Sequence, residues 1–453
     1  MTNAENPAGG TRVSPVRLAL ASLVGTTLEW YDFLVYGTVA ALVFDKLFFP
    51  EFSHLAGTLA SFATLAVGFA ARPLGSIIFG HFGDRFGRQK TLVVTLVLMG
   101  GTTFVIGLLP SYQTIGVWAP ILLTVLRFIQ GLGLGGEWGG AALMSVEHAP
   151  AHRRALYGSA TQMGSPAGQL LSTAFVTTMA VTTGDSFATW GWRVPFLASA
   201  LLLIFGLVLR MTLPESPEFA RIDHKDAKPK VPLATVVRRY PKTVGVVFGI
   251  SCCNNIAYWT GSIFTLSYVT SELGKSRNTI LTVNLIVAAI YVIAIPFMAM
   301  LADRVGPRRV MMTVAGFGAL FAFPFFTIVN TGNTLLILAA VAILVVVVNG
   351  AVYTPQPAFF AALFPAEVRY TGASVSYALP TAIVGGTAPF IGTALYAWAG
   401  STWPIAVYMT VLCLVSFGSS FLAQRLPTYL DDSSTSTAAS GAVPTHSTAP
   451  TRA

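Results

Sequence analysis

Charge is what this sequence has least of. Asp, Glu, Lys and Arg make up 10% of its 453 residues, against 54% for hydrophobic residues. A soluble chain is roughly a quarter charged, so this one cannot cover the surface of soluble domains of such length. Cysteine is scarce too. Cys252, Cys253 and Cys413 build no disulfide framework and match no zinc or haem spacing. His54, His81, His148, His152, His224 and His446 fall in loops, the tail or span ends, which argues against a histidine proton relay. No Walker loop, nucleophile elbow or metal-ligand cluster is present, and Gly133 and Gly135 follow no strand that would make them a phosphate loop. These absences point away from an enzyme and from nucleotide or nucleic-acid binding, and no cofactor is expected. Met1 to Pro15 lacks the charged, apolar, small-residue order of a cleaved signal. The first apolar segment is therefore expected to remain as a membrane anchor.

What the sequence has in abundance is long apolar runs. A bilayer core of about 30 Å needs about 20 apolar helical residues. The runs are continuous and do not alternate with period 2, which excludes a barrel. Twelve spans are expected, near 17–41, 57–80, 91–109, 119–143, 155–181, 193–212, 243–270, 279–301, 309–330, 334–362, 371–397 and 404–424. The fold class is all-α: a polytopic membrane protein with two six-helix halves. The net charge of +9 supports an orientation. With both termini cytoplasmic, 21 of the 27 Lys and Arg residues lie on the cytoplasmic face and four outside, while Arg72 and Arg127 lie within spans. That asymmetry obeys the positive-inside rule. The expected organisation is a cytoplasmic segment over 1–16, one half over 17–212, a charged, proline-rich linker over 213–242, a second half over 243–425, and a disordered Ser/Thr/Ala/Pro tail over 426–453.

The halves repeat each other. Gly83-Asp84-Arg85-Phe86-Gly87-Arg88 follows span two, and Asp303-Arg304-Val305-Gly306 follows span eight, with Asp84 and Asp303 219 residues apart. Pro150-Ala151-His152-Arg153 after span four is echoed by Pro365-Ala366-Glu367-Val368-Arg369 after span ten. Equivalent loops in two halves imply a parallel repeat about an axis along the membrane normal, with a pathway between the halves.

Arg72-Pro73-Leu74-Gly75 and the stretch from Gly80 to Lys90 resemble the loop signature of the major facilitator superfamily. Glu29-Trp30-Tyr31-Asp32-Phe33, Arg127-Phe128-Ile129-Gln130-Gly131, Gly135-Gly136-Glu137-Trp138, Gly191-Trp192-Arg193 and Arg369-Tyr370-Thr371-Gly372 resemble its metabolite:proton symporter family. The resemblance covers about residues 17 to 425. It implies a monomeric carrier in the inner membrane of a bacterium, working by alternating access. Members of that family carry shikimate, 2-oxoglutarate, citrate, or proline and betaine with protons. The resemblance implies import of a small organic acid, with shikimate-type carriers the most similar branch. A proline-betaine type zwitterion symporter is the alternative, although the tail lacks the heptads associated with that branch. A non-transporting membrane sensor is a remoter one.

Charges inside spans demand explanation, because each costs at least about 2.5–3.5 kcal/mol at mid-bilayer. Glu29 and Asp32 stand three apart on one face of span one. Two desolvated, mutually repelling carboxylates favour a proton on one of them, so Asp32 and Glu29 are candidates for proton coupling. Arg127 in span four suits a carboxylate, either the substrate's or that of Asp32, and a fixed structural pair with Asp32 is the competing reading. Glu137, about 15 Å further down that helix, is either a step in a proton route or a partner of Arg72 or Arg154. Substrate contacts are expected from Arg127, Tyr31, Tyr36 and Gln162, and in the charge-poor second half from Asn254, Asn255, Tyr258, Tyr353 and Gln356. Asn284, Tyr291, Asn349 and Tyr377 add to that polar set, and Pro355 and Pro357 are expected to interrupt span ten. The loop groups Gly83, Asp84, Arg85, Gly87, Arg88, Asp303 and Arg304 shape turns and orient the chain. The resemblance adds a gating role for them, shared by Arg72, in which Asp84 caps a helix start and pairs with arginines across the halves while the inside is closed.

Overall fold

The computed structural model describes the backbone of residues 15–86, 88–135, 145–146, 149–211, 236, 238–365 and 368–429, with side chains described there except at 15–22, 80–92, 151, 209–211 and 370. Glu137, Gly87, residues 212–235 of the expected linker and the tail beyond 429 lie outside the described residues. So do the side chains of Asp84, Arg85 and Arg88.

Among the described residues there is no strand, and the helices follow the expected order of twelve spans. Only helices and closed barrels can satisfy every backbone group in hydrocarbon. Six described helices are long and apolar enough to cross a bilayer: His54–Phe79, Arg277–Val305, Pro307–Asn330, Thr334–Ala362, Thr371–Ala399 and Trp403–Arg425. Their outward faces are bare of polar groups at positions such as Leu320 and Leu335, as lipid contact requires. The molecule is an all-α polytopic membrane protein.

Span one packs along span five, span two along span four, and spans four and six flank span three. In the second set, span twelve packs on spans seven and nine, and span seven touches spans ten and eleven. The two sets meet where span five (Arg154–Thr183) lies against span eight (Arg277–Val305), and where span two (His54–Phe86) lies against span eleven. Small residues permit these approaches, since apolar burial gives no drive between helices in lipid. A β-carbon on Gly131 would run into the Gly68 carbonyl, and one on Gly68 would stand 3.2 Å from Arg127 Nη2.

The repeat is visible in the helix ends. Span two ends at Phe86 and span eight at Val305, while the following helices start at Arg88 and Pro307, each pair 219 residues apart. Gly83, Asp84 and Arg85 therefore belong to the last turns of a helix, as do Asp303 and Arg304, and they are not loop residues. The turn after span eight uses Gly306 at φ 101°, a region that a side chain would strain. Spans one and seven also break regularity at matching places, with π-helical steps at Ala40–Phe44 and Thr260–Phe264. Span ten is π-helical over Ile343–Asn349 and restarts at Gln356–Ala362 beyond Pro355, the interruption its prolines imply.

Candidate substrate and proton sites

Polar groups collect in two places inside the bundle, and the two differ in chemistry. The first is charged and sealed. Arg127 is fully buried in span four (Trp118–Leu134). Its guanidinium lies 4.3 Å from the centre of the Phe33 ring and 3.9 Å from that of Tyr36. Nη1 donates to Oε1 of Gln130, one helical turn further on. Gln130 in turn donates to Thr103 Oγ1 at 2.6 Å and to the backbone oxygen of Asp32 at 3.3 Å. Asp32 is buried, and its Oδ1 has no hydrogen-bond partner, nor do Nε and Nη2 of Arg127.

Among the described residues the ion pair between Arg127 and Asp32 is not formed. The rings of span one cover the faces of the guanidinium, and Gln130 occupies one edge. A competition in which substrate displaces Asp32 from Arg127 thus has no such pair to act on in this conformation. Tyr31 donates to the Pro195 carbonyl at 2.6 Å, tying span one to span six, and Tyr36 pairs with Thr64 of span two. Both are fully buried and outside the cavity described next. Glu29 is buried on the same helix and lies within electrostatic reach of Asp32 and Arg72.

The second place is a narrow cavity of about 20 Å³ between the halves, lined among the described residues by Trp30 and Ser165 from the first half and by nine residues of the second. Asn254, Asn255, Tyr258 and Tyr353 are brought together there as the sequence suggests. None of the described lining residues is ionised at neutral pH. Asn254 Oδ1 accepts from Gln356 Nε2 at 2.9 Å, and Gln356 Oε1 is left without a partner. Asn349 donates to the Tyr291 hydroxyl at 2.9 Å, and Gln162 donates to the Tyr353 carbonyl at 2.9 Å across the halves. Trp30 and Tyr258 meet edge to face with ring centres 6.3 Å apart. That volume holds about one water and is far below the roughly 300–1,000 Å³ of ligand pockets, so a metabolite fits only when the halves part.

A third feature closes one end. Asp303, in the last turn of span eight, accepts from the backbone N–H groups of Ala155 at 2.9 Å and Leu156 at 3.0 Å. These are among the first N–H groups of span five, which lack partners inside their own helix. The carboxylate therefore caps a helix of the other half, whereas the cap and the arginine pairing expected of its repeat partner Asp84 rest on a side chain outside the described residues. Arg304 beside it is exposed.

Gln130 and Thr103, which connect Arg127 to Asp32, carried no functional expectation, although Gln130 stands in the quoted Arg127 block and shares its helix face. Thr381 of the cavity was also unforeseen.

A membrane bundle of two helix sets with a charge-free cavity between them is the architecture of a carrier. A model of the Major Facilitator Superfamily matches residues 22–379. The shikimate transporter of Escherichia coli is 43% identical over 404 residues, covering 88% of this chain and 92% of that protein. The proline/betaine transporter of Escherichia coli is 34% identical over 412 residues, covering 87% and 80% respectively. The crystal structure of a D-xylose-proton symporter superposes with a TM-score of 0.70 at 21% identity, covering 92% of this chain and 98% of that one. This chain belongs to the Major Facilitator Superfamily, on the metabolite-transporter branch its span motifs resemble, and it is a multi-pass membrane transporter and not an enzyme.

Proposed function

We propose that this protein imports a small hydroxylated organic acid together with protons across the inner membrane of a bacterium. The cavity carries the reading. Its amide and hydroxyl groups suit a substrate rich in hydroxyls, and it must widen as the halves move to admit a molecule such as shikimate. The similarity to the shikimate transporter supports the same class. The two halves, 17–212 and 243–425, rock about the cavity, and no second copy of the chain is required. Both termini and the Asp303 end face the cytoplasm, following the distribution of Lys and Arg.

Asp32 is the proton carrier in this reading, since it is a buried carboxyl whose Oδ1 no neighbour occupies. Arg127, held by two rings and Gln130, sets the field around it. Coupling has a plain energetic reason: an anion entering alone opposes an inside-negative potential by about 2.3 kcal/mol per 100 mV. One proton per monoanion removes that opposition and leaves the pH gradient as the drive.

One observation favours a second reading. The aromatic groups Trp30, Tyr258 and Trp259 line the cavity without a charge among them, which also suits a quaternary ammonium group. A zwitterion such as betaine is then the substrate. Uptake of labelled shikimate, 2-oxoglutarate, citrate, proline and betaine into cells, with and without a protonophore, separates the two. Acid uptake that the protonophore abolishes is expected. Saturable uptake of betaine alone would replace the first reading with the second, and acid uptake insensitive to the protonophore would remove the coupling.

A further inference from the structure

A carboxylate in a charge-free cavity needs a cation, and Arg127 does not reach the cavity. Another guanidinium, also outside the lining, is one ring away from it: Arg72 lies over Phe69, whose ring meets the lining residue Trp259 at 5.0 Å. Arg72, in span two, is 4% exposed, and neither its Nε nor its Nη1 has a hydrogen-bond partner. Leaving two N–H donors of a cation unpaired in a buried site is costly. A group so placed is expected to gain a partner at some stage of the working cycle.

Two independent observations direct it at the cavity. First, Tyr353 and Tyr377, which line the cavity, are within electrostatic reach of the Arg72 side chain, as is the buried Glu29 of span one, with which the substrate's carboxylate would compete. Second, the repeat assigns it a counterpart. A residue 219 positions beyond Arg72 is Tyr291, and Tyr291 lines the cavity from span eight. Arg72 holds the corresponding place on span two, on the opposite side of the pseudo-symmetry axis. One ring face, that of Phe69, is 5.6 Å away, a looser contact than the two rings closing on Arg127.

We propose that Arg72 is the specificity-determining cation of the cavity: one of its unpaired N–H donors receives the substrate's carboxylate beside Tyr353 and Tyr377. Nε and Nη1 lie on different edges of the guanidinium, so one of them gives the carboxylate a single charge-assisted hydrogen bond. The proposal rests on the reading of the cavity as a carboxylate site. It separates the two arginines by task, with Arg72 selecting the anion and Arg127 serving Asp32.

The test is calorimetric binding to the purified full chain in nanodiscs. The ligands are shikimate, 2-oxoglutarate and citrate as acids, with methyl shikimate as a neutral analogue. The proteins are the unaltered chain, Arg72→Gln and Arg72→Lys. Expected is a loss of about tenfold or more in acid affinity for Arg72→Gln, matching one lost charge-assisted contact. Arg72→Lys should be intermediate, and methyl shikimate affinity should be unchanged in all three. Undiminished acid affinity in Arg72→Gln would overturn the proposal. An equal loss for acid and ester would also overturn it, because a packing role acts on both. If the unaltered chain binds none of the acids, the carboxylate reading falls and this inference falls with it, whereas the other two failures leave that reading standing.

Discussion

The two halves contribute opposite chemistry to the centre of the molecule. The first half holds the buried charges: Arg127 under two rings and Asp32 outside the cavity lining, with Glu29 and Arg72 beside them. The second half offers amides and hydroxyls on Asn254, Asn255, Asn349, Tyr258 and Tyr353, with no charge. The duplication that produced equal helix ends did not produce equal interiors. A proton site works best shielded from water and from the substrate's own charge, while a recognition site must be open to a ligand that comes and goes. Dividing the tasks between halves lets rigid-body rocking connect them.

Four measurements can break or sharpen that division. The largest effect is expected from Asp32→Asn, which should reduce concentrative uptake to the level of protein-free vesicles while leaving substrate exchange intact. Loss of affinity in place of coupling would merge the two sites. Next, Arg127→Lys removes the planar stack against Phe33 and Tyr36, where each ring contact contributes about 0.5–2 kcal/mol. Substrate-driven proton uptake should fall by about tenfold or more, with acid affinity within about twofold. An affinity loss that leaves proton uptake unchanged would place Arg127 at the substrate.

Asn254→Ala is expected to weaken substrate binding by about tenfold, the equivalent of about 1.4 kcal/mol, without altering the pH dependence of transport. A shifted pH profile would mean that the second half takes part in proton handling. The smallest effect is expected from Asp303→Asn. A helix cap contributes about 0.5–2 kcal/mol, so the closed state of that end should lose population by roughly fivefold. Faster alkylation of a thiol introduced by Ser159→Cys would report the opening, with substrate affinity unchanged. An unchanged alkylation rate would make the contact incidental.

The sequence made the scaffold legible because its signals are local. The long apolar runs and the short Asp-Arg-x-Gly blocks at Asp84 and Asp303 each need only a few neighbouring residues to be read. Asn254, Asn255, Tyr258 and Tyr353 were also legible, since polar groups in an apolar span have few places to point. The Arg127 environment was not. Its apparent partner was Asp32, because two opposite charges in a membrane suggest a pair. Which groups it touches depends on how the turn of span one carrying Phe33 and Tyr36 faces span four, and that is settled by packing. Arg72 was read with the loop signature beside it, and its relation to Tyr377 on another half is invisible along the chain.

The π-helical steps at Ala40–Phe44 and Thr260–Phe264 bear on how these helices are compared. A π turn holds one residue more than an α turn, and one residue is about 100° of azimuth. Beyond each step the helix therefore presents a different stripe of residues from the one that an unbroken period would assign. Because the offsets occur at corresponding places in spans one and seven, they cancel when the two halves are overlaid on each other. They do not cancel against a relative that lacks one of them. Any transfer of facing positions past residue 44 or 264 must first check the phase.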